Sequence, residues 1–120
     1  MKYLITESKL DNVVSMYLDN QDFVIYDNKK RFNNYIYFLN SESDLYAQIC
    51  VYHTNTFGDV RNQVFINYDL IEELCSFFPI DKFDCLDIIG AWVNNTLSIK
   101  IGRVSIAEIH DSHRLIVKTE

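Results

Sequence analysis

The stretch "IHDSHRL" sets His110, Asp111, Ser112 and His113 side by side, residue types that build metal sites and hydrolase centres. Two imidazoles three positions apart supply two ligands, and zinc needs three or four. On an extended chain Glu108 shares a face with His110. Glu108, His110 and His113 are therefore the candidate metal ligands, with His53 the remaining histidine. The catalytic version makes one histidine a base and Asp111 its orienter. Ser112 has no G-x-S-x-G elbow around it, which counts against a serine triad. The plainer reading is preferred: Asp111-Ser112 is a hairpin turn, and both histidines flank it in solvent.

Other constellations are weighed the same way. Cys50 and His53 have C-x-x-H spacing, but on a strand side chains three apart point to opposite faces and cannot share a metal. Asp81, Asp84 and Asp87 recur every three residues and join Asp69, Glu72 and Glu73 in an acidic region. Such carboxylates near one another on helices could hold a divalent cation, yet no EF-hand pattern is present. Acids in a first helical turn also complement the helix dipole, which is the simpler account. The functional version is an acidic face that docks a basic partner. Lys29, Lys30 and Arg31 form the basic run "KKR" on an expected loop. Tyr26, Tyr35, Tyr37, Tyr46 and Tyr52 interleave with strands, either as a base-stacking platform or, preferred, as cross-strand pairs. Gly58, Gly90 and Gly102 are scattered, so no glycine-rich phosphate loop exists.

The elements that must position these residues follow from periodicity. Thr6 is an expected N-cap with Glu7 in the first turn, and Ile5 staples onto Leu10. Leu10, Val13, Val14, Tyr17 and Leu18 form one helical stripe, which "DNQD" ends. "FVIY", "YIYFL", "LYAQICVY" and "QVFI" are rich in aromatic and β-branched residues, as strands are. In "LYAQICVY" the odd positions Leu45, Ala47, Ile49 and Val51 make the drier face, expected to meet helices. Tyr46, Gln48, Cys50 and Tyr52 make a partly exposed face. "DNKKRFNN" and "HTNTFGDVRN" read as polar loops. Asn67 can cap a helix whose apolar face is Leu70, Ile71, Leu74, Phe77 and Phe78, stopped by Pro79. Asp81 can cap another with Cys85, Ile88, Ile89, Trp92 and Thr96 as its stripe. Gly90 within it costs about 1 kcal/mol against Ala, a cost that close packing would explain. "LSIKI", "RVSIAEI" and "RLIVKT" read as strands.

The bulk numbers bound the answer. At 120 residues, 48% hydrophobic and 14% aromatic, the chain is one ordinary domain, residues 1–120. Its net charge of −6 argues against general nucleic-acid binding and against anionic membranes. No apolar run reaches the length of a signal peptide or of a membrane span, which points to the cytoplasm. Three cysteines in apolar surroundings read as reduced core residues.

"MKYLITESKLDNVVSMYLDN" and "DIIGAWVNNTL" resemble stretches of small uncharacterised proteins of tailed phages and marine metagenomes. The resemblance covers about a quarter of the chain. It implies a viral or environmental source and a cytoplasmic or virion location, and it carries no active residues.

The expected fold is α+β: an N-terminal helix, a four-stranded antiparallel meander, a helical pair and a short C-terminal β element. The functional reading leans away from an enzyme, with no cofactor, toward a protein-interaction or structural module. Its contacts would be Asp69, Glu72, Glu73, Asp81, Asp84, Asp87, Tyr46 and Tyr52, meeting a protein partner or a second copy. The alternative is a metal-binding domain or metal-dependent enzyme using the C-terminal histidines.

Overall fold

The computed structural model describes residues 7–29, 33–56, 59–107 and Leu115. Helix α1 is Glu7–Asn20; strands follow as β1 Val24–Lys29, β2 Asn33–Leu39, β3 Ile49–Thr56 and β4 Asp59–Asn67. Then come α2 Tyr68–Phe77, α3 Lys82–Leu97 and β5 Arg103–Ala107. The sheet order is β1-β2-β3-β4-β5. The first three pairings are antiparallel and β4·β5 is parallel. The α+β reading therefore holds, with its helix, meander, helical pair and closing strand. A parallel neighbour needs a crossover, and α2 with α3 is that crossover.

Strand alternation decides which residues the helices cover. Phe38, Ile49, Val51, Val64 and Ile66 lie on one face and are fully buried. They form one cluster with Val14 and Leu18 of α1, Leu70, Ile71 and Leu74 of α2, and Ile89 and Val93 of α3. Each such side chain stabilises by roughly 1.5–3 kcal/mol when removed from water. The opposite face carries a smaller cluster of Tyr37, Leu39, Cys50 and Ala107, closed by Ala47 and Leu115. The Ala47 amide donates to the Leu115 carbonyl at 2.7 Å.

Caps fall where the sequence placed them in α2 and α3. The Asn67 side chain accepts from the Asp69 amide at 3.0 Å, and Asp81 from the Asp84 amide at 2.8 Å. Helix α3 ends on Ser98 in the left-handed region, φ 55°. Thr6 and Ile5 lie outside the described residues.

Several expectations are corrected. Strand β3 begins at Ile49, so residues 45–48 lie outside it, with an isolated bridge at Tyr46, and the odd face of "LYAQICVY" holds only for Ile49 and Val51. Leu45 is 66% exposed, and Ala47 packs with the other cluster. Here the polar "NSESD" connection runs on through the apolar residues: Leu115 and Asn67 take the backbone groups of Ala47, and the Gln48 amide donates to the Phe38 carbonyl while its own carbonyl accepts from the Asn67 amide. The polar stretch "HTNTFGDVRN" is mostly strand, with β3 and β4 paired out to Thr56 and Asp59. "LSIKI", residues 97–101, forms no strand: Leu97 closes α3 and 98–101 are irregular. Val13, Phe77 and Thr96 are exposed although each was placed on an apolar stripe.

Gly90 makes the close approach expected of it. A Cβ there would stand 2.8 Å from Val104 Cγ2 on β5. Gly90→Ala therefore gains about 1 kcal/mol of helix propensity but overpacks at a cost of about 1–3 kcal/mol. Urea denaturation should show a net loss in the wild-type background. In a Val104→Ala background the same change should stabilise. A stabilising Gly90→Ala in the wild type would contradict the packing account.

Candidate functional site

Three clefts follow one another around α2 and the start of α3. The first, of about 850 Å³, is lined by Asp69, Glu72, Glu73, Asp81, Cys75 and Ile80 among others. A second, of about 240 Å³, runs between α1 and α3 and carries Asp11, Asp84 and Asp87. Ile80 belongs to both walls. A third, of about 490 Å³, lies at the start of α2, bounded by Asp44, Tyr46, Gln48 and Leu115. It shares Tyr68 and Asp69 with the first. The band is acidic throughout: its lining residues include eight carboxylates and one cation, Lys82. The Lys82 Nζ sits 5.3 Å from the Tyr68 ring centroid.

Some of these acids have local work to do. Asp81 caps α3, and Asp84 and Asp69 stand in first turns where the dipole favours them. The Glu73 charge acts on Tyr17, whose pKa is raised by burial and then by that charge. Asp11, Glu72 and Asp87 stand outside every first turn of α2 and α3. Exposed apolar residues accompany the band: Tyr46 is 50% exposed, Phe77 62% and Phe83 78%. Sequence reasoning missed Phe83, Asp11 and Asp44. Phe83 was legible as an aromatic residue off the stripe of its helix, between Lys82 and Asp84. Asp44 comes in through a loop, which no periodicity signals.

The six acids singled out from sequence thus line two adjoining clefts. Tyr46 joins them in the third. Tyr52 does not. It stands in a row across the sheet's other face, where Tyr35 and Tyr52 ring centroids are 4.7 Å apart. Tyr26 and Tyr37 continue the row at 6.3 Å. Tyr26↔Tyr37 and Tyr35↔Tyr52 are direct cross-strand partners, so the pairing account holds for these four. Tyr37 is only 4% exposed, which leaves it little face for a base. Its burial, then Cys50, Tyr35 and Tyr26, push its pKa upward.

Glu108, His110 and His113 lie outside the described residues, as do Lys30 and Arg31. His53 was taken for a loop residue but sits in β3, on the helix side, opposite Asn62. Its Nδ1 hydrogen-bonds the Asn62 side-chain oxygen. The Asn62 amide nitrogen donates to the Lys100 carbonyl at 2.7 Å, and the Gly102 amide donates to the Asn62 carbonyl at 2.9 Å. Since Asn62 Nδ2 already donates, His53 Nδ1 is the donor in its own bond. Cys50 packs on the opposite face, as the C-x-x-H argument required. Among the described residues no group of three metal-ligating side chains converges, and no helix is long and apolar enough to cross a membrane.

No family model matches the chain, and neither does any curated protein or solved structure.

The cysteines are free, with Cys50 and Cys85 buried and Cys75 half-buried. Burial, and next the neighbouring Cys75, push the Cys85 thiol from its ordinary 9.0 up to about 12. The folded state thus favours the neutral thiol. Its contribution to stability is complete below about pH 9 and is lost as the pH rises toward about 12. Tyr17 and Tyr37, both raised from 10.0, act in the same direction at somewhat higher pH. Denaturation midpoints should therefore hold up to about pH 9 and fall above it. The Cys85→Ala variant, less stable at every pH, should show a shallower alkaline fall. An equal slope in both proteins would refute the assignment to Cys85.

Proposed function

We propose that this protein is a non-enzymatic protein-interaction module whose acidic clefts around α2 and α3 receive a basic segment of a partner protein. The observation that carries the reading is the continuous band itself, with eight carboxylates against one ammonium along its lining. Charge of one sign lining adjoining clefts attracts the opposite sign and steers its approach. Exposed Tyr46, Phe77 and Phe83 supply the apolar anchors that charge alone lacks, since aromatic residues dominate binding energy at interfaces. A second copy of this chain is a poor occupant, because it would bring its own −6 to the band. A phage source and a cytoplasmic location, implied earlier, belong to the same proposal.

The test uses a fluorescent amphipathic peptide of lysine, arginine and leucine, with its glutamate counterpart as control. The basic peptide should bind at low salt and weaken as salt rises, while the acidic peptide stays free. Glu72→Lys with Asp87→Lys should weaken binding by about fivefold or more, taking each exposed pair at up to about 1 kcal/mol. Asp22→Lys with Asp27→Lys, of equal charge change at exposed residues that line none of the clefts, should leave the affinity within about twofold. Equal loss in both double variants would reduce the effect to net charge and sink the site.

A further inference from the structure

Cys75 and Cys85 occupy facing positions nearest the turn of the α2–α3 hairpin. Helix α2 ends at Phe77 and α3 begins at Lys82, so the two cysteines fall on either side of a short link. Their phases agree with a shared seam: Leu70, Ile71 and Leu74 precede Cys75 on the buried side of α2, and Ile88, Ile89 and Trp92 follow Cys85 on that of α3. Cys75 packs against the core cluster that holds Cys85. Their accessibility differs. Cys75 is half-buried and lines the 850 Å³ acidic cleft, whereas Cys85 is sealed inside the core. Cys50 is separate, in the cluster on the far side of the sheet.

We infer that Cys75 and Cys85 form a modification site: a dithiol that a cationic low-molecular-weight disulfide entering the acidic cleft converts to an intramolecular disulfide. The Cys75 thiolate attacks one sulfur of the reagent, forming a mixed disulfide and releasing one equivalent of the small thiol. The Cys85 sulfur then attacks Sγ of Cys75 as its proton leaves, and the second small thiol departs carrying a proton. The protein dithiol loses two electrons and two protons, and one reagent disulfide becomes two thiols. The walls select for charge: Asp69, Glu72, Glu73 and Asp81 attract an ammonium-bearing reagent and repel a carboxylate-bearing one. The protonated, buried Cys85 makes the second step the slow one, faster at higher pH.

Cystamine and glutathione disulfide, added separately to the intact protein, test this. After denaturing alkylation, trypsin cuts at Lys82 and places Cys75 in peptide 62–82, Cys85 in 83–100 and Cys50 in 32–61. Cystamine should link 62–82 to 83–100, leave the Cys50 peptide alkylated, and react about tenfold faster than glutathione disulfide at low salt. In the Cys85→Ser variant cysteamine should stay on Cys75. The proposal is overturned if both peptides come out alkylated. It is equally overturned if the mixed disulfide at Cys75 persists in the wild type at alkaline pH. Because the readout is a covalent link, it stands or falls independently of peptide binding.

Discussion

A five-stranded sheet with an apolar face must cover that face, and here a continuous chain of helices does it. Phe38, Ile49, Val51, Val64 and Ile66 span β2 to β4, and α1, α2 and α3 close over them. Burying these five residues requires α2 and α3 to lie across the sheet. Together they carry the chain from the end of β4 back toward its start, where the Gly102 amide meets the Asn62 carbonyl, so the next strand joins parallel to its neighbour. Strand β5 does so beside β4. The approach is close enough that Gly90 meets Val104 with no room for a side chain between them.

Polar groups fix how that covering is seated. Asn62 is the buried polar residue of the cluster edge, and its amide ties His53 of β3 to the Lys100 carbonyl ahead of β5. The bond from Gly102 to the Asn62 carbonyl then sets the register of the final strand. At the other end of the helical layer, Trp92 Nε1 donates to Asp19 at 2.9 Å, joining α3 to α1. Phe23 and Phe38 pack their rings on Trp92 at 5.9 and 5.4 Å. Each of these bonds satisfies a group that would otherwise cost about 1–3 kcal/mol when buried.

The acidic clefts are a consequence of the same layering. Helices that bury one stripe turn another outward, and in α2 and α3 the outward stripe is carboxylate. Capping accounts for Asp81 and the first-turn position for Asp69 and Asp84. What it leaves over, Glu72 and Asp87 with Asp11 from α1, is the part with no local task. The thiol pair belongs to the same hairpin: Cys75 opens onto the cleft because it sits at the edge of the buried stripe of α2, and Cys85 does not because it sits at the centre of that of α3.

How much of this was legible in the sequence depends on the range of the forces involved. Local patterns determined the caps Asn67 and Asp81, the stripes of α2 and α3, the meander and the cross-strand tyrosines, because caps and alternation act over a few residues. The start of β3 was misplaced because Leu45 to Gln48 alternate like a strand, yet the backbone groups of Ala47 and Gln48 are taken by Leu115, Asn67 and Phe38, all distant in sequence. "HTNTFGDVRN" looked like a loop because its residues are polar, whereas the pairing of β3 with β4 depends on backbone bonds that polar residues make equally well. The six acids were legible as a charged region. That they line adjoining clefts, that Asp44 and Tyr46 extend them, and that Cys75 faces Cys85 depended on how the helices pack. Periodicity says which side of a helix is buried; only packing says what stands opposite it.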